Sequence, residues 1–186
     1  MPMSIQYSID RADRIQFINE AWLQFACQNA GGHLNRAHVI GKPLWGFIEG
    51  EDLSHAYGQI FKAVRTKQQA AVFKFRCDSA ECRRYFQLTV SPLQDDELLL
   101  STHPLREDLR DPVPLLDPDV KRGEAFLAIC SWCIKARLPT NEWVELEDAI
   151  NRLDLLARAA MPSLTHGICV DCQSTIEHEL KNLSWR

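Results

Sequence analysis

Apolar and polar residues alternate along the first hundred residues at two different periods. Over Ile5–Asp10 and Arg14–Asn19 they change places at every second residue, as in a strand with one buried face, and the turn-forming run Asp10-Arg-Ala-Asp separates the two. Asn19 can cap a helix in which Ala21, Trp22, Phe25 and Ala26 share one face, and Gln28-Asn-Ala-Gly-Gly ends it. His38-Val-Ile-Gly then leads into Lys42-Pro-Leu-Trp-Gly-Phe-Ile, where Pro43 and Gly46 forbid a long helix but the large apolar residues still need cover. Glu51 and Asp52 put negative charge at the start of the next helix, with Leu53, Tyr57, Ile60, Phe61 and Val64 on its buried face and His55, Gln59 and Lys62 on its wet one. Period two returns in Ala71–Cys77, Arg84–Val90 and Asp96–Thr102, and the short Asp78-Ser-Ala-Glu joins the first two as a hairpin. Two strands, several helices, then three strands predict an α+β fold: a five-stranded antiparallel sheet with helices on one face.

The pattern changes near Pro104. The charged, proline-rich run Arg106-Glu-Asp-Leu-Arg-Asp-Pro-Val-Pro predicts a linker over 106–124, dividing a domain at 1–105 from a small module at 125–186. Inside that module Trp143, Leu146, Ile150, Leu153 and Leu156 recur at helical spacing, from a cap at Thr140 or Asn141.

Composition narrows the partners. With 186 residues and 46% apolar content, the chain can bury one core or two small ones. Its formal net charge of −4 carries no basic footprint for nucleic acid. No apolar run is long enough to cross a bilayer, and the N-terminus lacks the order of a signal peptide, so a cytoplasmic location is expected. In a reducing compartment cysteines serve as ligands rather than disulfides, and an odd number, seven, fits that.

Four of the seven make two pairs of one form, Cys130-x-x-Cys133 and Cys169-x-x-Cys172. The segment they bracket is too short to hold itself together by apolar burial, and four thiolates on one Zn²⁺ are the usual remedy. Such a site is closed to water and therefore structural. The same cysteines would also suit an iron–sulfur cluster, or a labile zinc site acting as a redox sensor. Gly167 is expected to ease the second turn and His166 to pack near the thiolates, with a substitute-ligand role as its alternative. Cys77 and Cys82 flank the hairpin and are expected to remain ordinary thiols.

Two resemblances add to this. Asp10-Arg-Ala-Asp-Arg-Ile-Gln-Phe-Ile-Asn-Glu-Ala-Trp and Val39-Ile-Gly-Lys-Pro-Leu-Trp-Gly-Phe-Ile resemble the entry strands and helices of PAS sensory domains, and Phe73-Lys-Phe-Arg-Cys-Asp-Ser with Arg83-Arg-Tyr-Phe-Gln-Leu-Thr-Val-Ser-Pro-Leu resemble their later paired strands. Cys130-Ser-Trp-Cys, Arg137, Trp143, Leu146-Glu147 and Leu164-Thr-His-Gly-Ile-Cys-Val-Asp-Cys are similar to a "CSxCkxiR…W…LE…fsHGiCpeC" tail that ends some bacterial PAS signalling proteins; Ile134 and Val170 depart from its lysine and proline. The PAS resemblance implies space for a small-molecule ligand between sheet and helices, lined by Trp22, Phe25, Trp45, Phe47, Tyr57, Phe61, Phe73 and Phe86, although such an aromatic set also makes plain core. His38 and His55 are haem-ligand candidates by type; Cys27 lacks the flavin-binding motif around it. The chain has no phosphate-cradling loop, kinase box or nucleophile elbow, so no catalytic residue is expected. The resemblances together imply a non-enzymatic signal-sensing or adaptor protein that acts on a protein partner, with homodimerisation by analogy.

Overall fold

A computed structural model describes residues 4–29 and 31–183. Ile5–Ile9 (β1) and Ile15–Ile18 (β2) form an antiparallel pair across the Asp10–Asp13 turn, where Asp10 Oδ1 accepts the backbone N–H groups of Ala12 and Arg14. Three helices follow: Glu20–Gln28 (α1), Arg36–Val39 (α2) and Glu51–Lys67 (α3), with a 3-10 turn at Leu44–Phe47. Asn19 caps α1 as its sequence position predicts, accepting from Trp22 N at 2.9 Å. Ala71–Arg76 (β3), Cys82–Pro92 (β4) and Leu98–Leu109 (β5) complete a five-stranded antiparallel sheet in the order β2-β1-β5-β4-β3. Ile60, Phe61 and Val64 of α3 pack on Ile9, Leu88, Val90, Leu98 and Leu100 of the sheet, all essentially inaccessible. The α+β class, the five strands and the buried face of α3 are those the periodicity predicts.

β5 runs further than its apolar centre suggests. Arg106-Glu-Asp-Leu, expected as linker, is ladder: Glu107 pairs with Arg84 and Asp108 with Arg83, and Leu105 is the extra residue of a bulge beside Pro104. The charges alternate across β4 and Pro104 sits at the bulge, so a composition that looks like linker is compatible with a strand end. The segment after it is also anchored, with Val113 and Leu115 buried around a 3-10 turn at Pro114–Leu116.

The cysteine half is built on a second sheet. Arg122–Cys130 (β6), Ala136–Arg137 (β7), Trp143–Val144 (β8) and Met161–Gly167 (β9) lie in the order β8-β7-β6-β9, and β6 and β9 run parallel. The helix expected from Thr140 or Asn141 is shorter. Asn141 takes a left-handed φ of 64° in the turn joining β7 to β8, Trp143 lies on β8, and only Leu146–Arg152 (α4) is α-helical. Asp154, also left-handed, ends the run and leaves Leu156 exposed. A last helix, Val170–Asn182 (α5), follows β9.

The two halves share a core. Cys130, Trp132, Cys169, Cys172 and Ile176 belong to the same buried cluster as Ile60, Phe61 and Phe73, while Leu127, Ile129, Leu146 and Leu155 form a second cluster within the C-terminal half.

Candidate metal centre

The first cysteine pair is set by the end of β6. Ile134 N donates to the Cys130 carbonyl at 2.8 Å and Cys130 N to the Lys135 carbonyl at 2.7 Å, closing a tight loop around Ser131, Trp132 and Cys133. The loop requires Ile134 to adopt φ 65°. That left-handed conformation costs a β-branched residue about 1–2 kcal/mol. The second pair is set by a helix start. Cys169 is the N-cap of α5 and Cys172 lies in its first turn, where the backbone N–H groups and helix dipole favour thiolate.

Parallel pairing of Cys130 with Gly167 places the two pairs side by side. Ser131 N donates to the Gly167 carbonyl at 2.9 Å, and Cys169 N donates to Cys130 Sγ at 3.3 Å. Gly167 is thus the end of a ladder, not the turn former its sequence position suggests; a Cβ there would sit 3.4 Å from Asp52 Oδ2. All four sulfurs lie within 4.8 Å of one another, with Cys133 and Cys169 at 3.7 Å. Cys130, Cys169 and Cys172 are buried and Cys133 is half-buried.

These distances fit a single ion. A tetrahedron with metal–sulfur bonds of about 2.3 Å has an edge near ~3.8 Å. Polynuclear clusters interpose inorganic sulfide and further iron between their cysteines, and so need a wider frame. The electrostatics point the same way. The S–H groups of Cys133 and Cys172, with the Cys169 N–H, hold Cys130 as a thiolate well below the ordinary thiol range. The same contact with Cys130 pushes the Cys133 thiol up to about 12 and raises Cys172 as well. Ionising Cys133 or Cys172 beside the Cys130 thiolate is thus resisted, and a cation among the sulfurs would offset that repulsion.

Trp132, between the first two cysteines, fastens the loop to the sheet. Its indole Nε1 donates to the Lys74 carbonyl at 2.9 Å and its carbonyl accepts from Arg76 N at 2.9 Å, both on the outer edge of β3. Its ring packs against Tyr57, Phe73 and Phe75 at centroid distances of 6.0, 5.9 and 6.1 Å. The cysteine loop therefore covers an otherwise open strand edge. An ion network joins the halves nearby. Asp78, with its side chain fully buried, contacts Arg76 and Arg110; Arg76 also reaches Glu145 at 2.7 Å, and Arg110 and Arg83 reach Glu147 at 3.0 and 2.8 Å.

Between the halves lies a cleft of about 710 Å³, whose walls include Trp22, Phe25, Phe47 and Tyr57 on the sheet side and Leu116, Ile129, Ser131, Ile134, Leu164 and His166 on the cysteine side. Four of the eight predicted pocket residues line it. Phe61, Phe73 and Phe86 are instead solid core, and Trp45 packs on Phe61 at 5.8 Å while its Nε1 donates to Asp13. His166 stands outside the sulfur group, with Nδ1 3.6 Å from Glu49. His38 and His55 are exposed on α2 and α3, and His55 contacts Gln59. Cys27, Cys77 and Cys82 are free, and burial raises the Cys77 thiol.

The sequence does not indicate the cleft's second wall or the Asp78 network, because both depend on how the halves dock. Trp132 carried the one available signal: a large apolar residue between two closely spaced cysteines needs something to bury it.

No protein-family model and no curated protein matches the sequence. Among solved structures, this chain is similar to the PAS domain of the Cronobacter turicensis RpfR quorum-sensing receptor in complex with C12:0, at 16% identity and a TM-score of 0.43 over 55% of this chain and 94% of that one. It is also similar to a sensory box sensor histidine kinase from Vibrio cholerae, at 6% identity and a TM-score of 0.41 over 55% of this chain and 82% of that one. A third is the Aer2 receptor from Vibrio cholerae, a dual PAS-haem oxygen sensor, at 16% identity and a TM-score of 0.37 over 56% of this chain and 96% of that one. Among the described residues no helix is long and apolar enough to cross a membrane.

Proposed function

We propose that this chain is a non-enzymatic, cytoplasmic signal-sensing or adaptor protein, in which a PAS-type sheet is locked to a structural zinc centre made by Cys130, Cys133, Cys169 and Cys172. The observation that carries the reading is the convergence of four sulfurs within 4.8 Å, inside the core that the five-stranded sheet also uses. Zinc bound there would supply folding energy, and four protein ligands leave no coordination position for substrate. The order of elements and the PAS-like stretches support the sensory role, which is exerted through a protein partner.

Elemental analysis of freshly purified protein, together with its absorption spectrum, tests the centre. One zinc per chain and a colourless solution are expected; a brown chromophore or sub-stoichiometric metal overturns it.

A second reading, a thiol redox sensor, is favoured by one feature. Cys133 is only half-buried and, with Cys172 and Thr175, borders a surface depression beside Trp132. Mild peroxide should then release the metal and form disulfides. Retention of the metal under those conditions removes this reading.

A further inference from the structure

The cleft between the halves has one wall made by the metal loop itself. Ser131 and Ile134 both line it, and both belong to the loop that Cys130 and Cys133 close. Ile134 holds its costly left-handed φ only because the surrounding loop fixes it, and in that conformation its side chain forms part of the cleft. Ser131 Oγ is buried without a hydrogen-bond partner among the described residues. A buried, unpaired hydroxyl costs about 1–3 kcal/mol; this one has almost no accessible surface, so a ligand group relieves it only by shifting the loop that covers it. Tyr7 and Tyr57 line the same space; burial raises both phenols, Tyr57 to about 12, so at neutral pH both present O–H donors.

Charge selects the occupant. Among the described lining residues Arg76 is the one guanidinium, and it is already bonded to Asp78 and Glu145. Glu49 adds negative charge to the walls, while the Asp78 carboxylate is paired with Arg76 and Arg110. Among the described lining residues an anion would meet only Arg76, already held by two carboxylates, and His166, which faces Glu49 at 3.6 Å, whereas an acceptor oxygen would meet hydroxyl donors. The volume lies in the ordinary range for small-molecule sites.

We propose that this cleft binds an uncharged, largely apolar small molecule carrying an acceptor oxygen of the ketone or amide kind, and that its binding is reciprocally linked to metal retention through Ser131 and Ile134. The linkage rests on the zinc reading above. A ligand seated against Ile134 and Ser131 stabilises the loop geometry that holds the cysteines, and a bound metal preserves the wall that the ligand needs.

The test uses the full chain with its metal content measured first. 2-Acetylnaphthalene is the neutral probe and 2-naphthoate its anionic counterpart of nearly the same shape. Binding is read by displacement of Nile red, and metal loss by its rate of transfer to a chromophoric chelator. The ketone should bind at least about tenfold more tightly than the carboxylate, and saturating ketone should slow metal transfer by a similar factor. Ser131→Ala should weaken the ketone but not naphthalene. Ile134→Gly, which relieves the backbone strain while removing the wall, should retain the metal but lose the ketone's effect on its release.

Equal or tighter binding of the carboxylate, or absence of ketone binding to metal-loaded protein, overturns the occupant. Ketone binding that leaves metal transfer unchanged overturns the linkage alone. A chain isolated without stoichiometric metal overturns the zinc reading and, with it, the linkage; the occupant is still decided by the paired probes.

Discussion

Trp132 is the residue on which most of the docking depends. It fills a space bounded by Tyr57, Phe73 and Phe75 and supplies both hydrogen bonds to the edge of β3. Trp132→Ala should destabilise the protein by about 3–5 kcal/mol, whereas Trp132→Phe, which keeps the ring packing and loses the indole donor, should cost about 1 kcal/mol. Denaturant unfolding measures both. Tyr57 makes a pH prediction. Its phenol moves from 10.0 in ordinary surroundings to about 12 through burial, so the folded state holds that proton more tightly than the unfolded one. The associated stability is complete below pH 10 and is lost as the pH rises through about 12. The alkaline limb of a stability–pH curve should therefore flatten in Tyr57→Phe, with Tyr7 and Cys77 contributing to what remains.

At the scale of elements, the junction between β3, the Asp78 hairpin and α4 is where charge is most deeply buried. Asp78→Ala leaves Arg76 and Arg110 facing each other without their shared carboxylate, and Glu145 and Glu147 compensate only from the outer side. The expected loss is about 3–5 kcal/mol, read as a lowered denaturation midpoint, with Asp78→Asn losing less because its amide oxygen still accepts.

The same elements show what the sequence could and could not tell. β1, β3, β4 and α3 were legible because a buried face leaves a clean period; in β2 burial does not alternate, since Ile15 and Ile18 are buried and Phe17 is exposed. The far end of β5 was not, since Arg106-Glu-Asp-Leu satisfies its backbone through β4 and its side chains remain wet. The helix expected across Trp143 to Leu156 failed for a different reason. Trp143 and Leu146 lie at helical spacing but belong to a strand and a helix, separated by a bend at Glu145. The convergence of the four cysteines was legible from spacing alone; which cleft their loop would wall was not, because β6 and β9 meet only in the folded chain.

At the scale of the whole molecule, the sulfur centre and the sheet have one core between them. On the zinc reading, removing the metal should therefore not simply unravel a tail. With a strong chelator under reducing conditions, the loop, α5 and the β3 edge should loosen together. Hydrogen exchange should show protection lost at Lys74–Arg76 as early as at Cys130–Lys135, while β1 retains its own. A transition confined to residues after 122, with β3 unaffected, would show the halves to be independent.

The covering of β3 also has a consequence for how the protein is made. Synthesis from the N-terminus completes all five strands before Cys169 and Cys172 have been added, and the β6–β9 crossover must close before the four sulfurs can meet. Until then a freshly made chain carries an open rim of backbone donors and acceptors along β3, able to recruit the same rim on a neighbour. On the zinc reading, cells starved of that metal would prolong the interval, and the first sign of shortage would be newborn chains clumping while those already finished remain in solution.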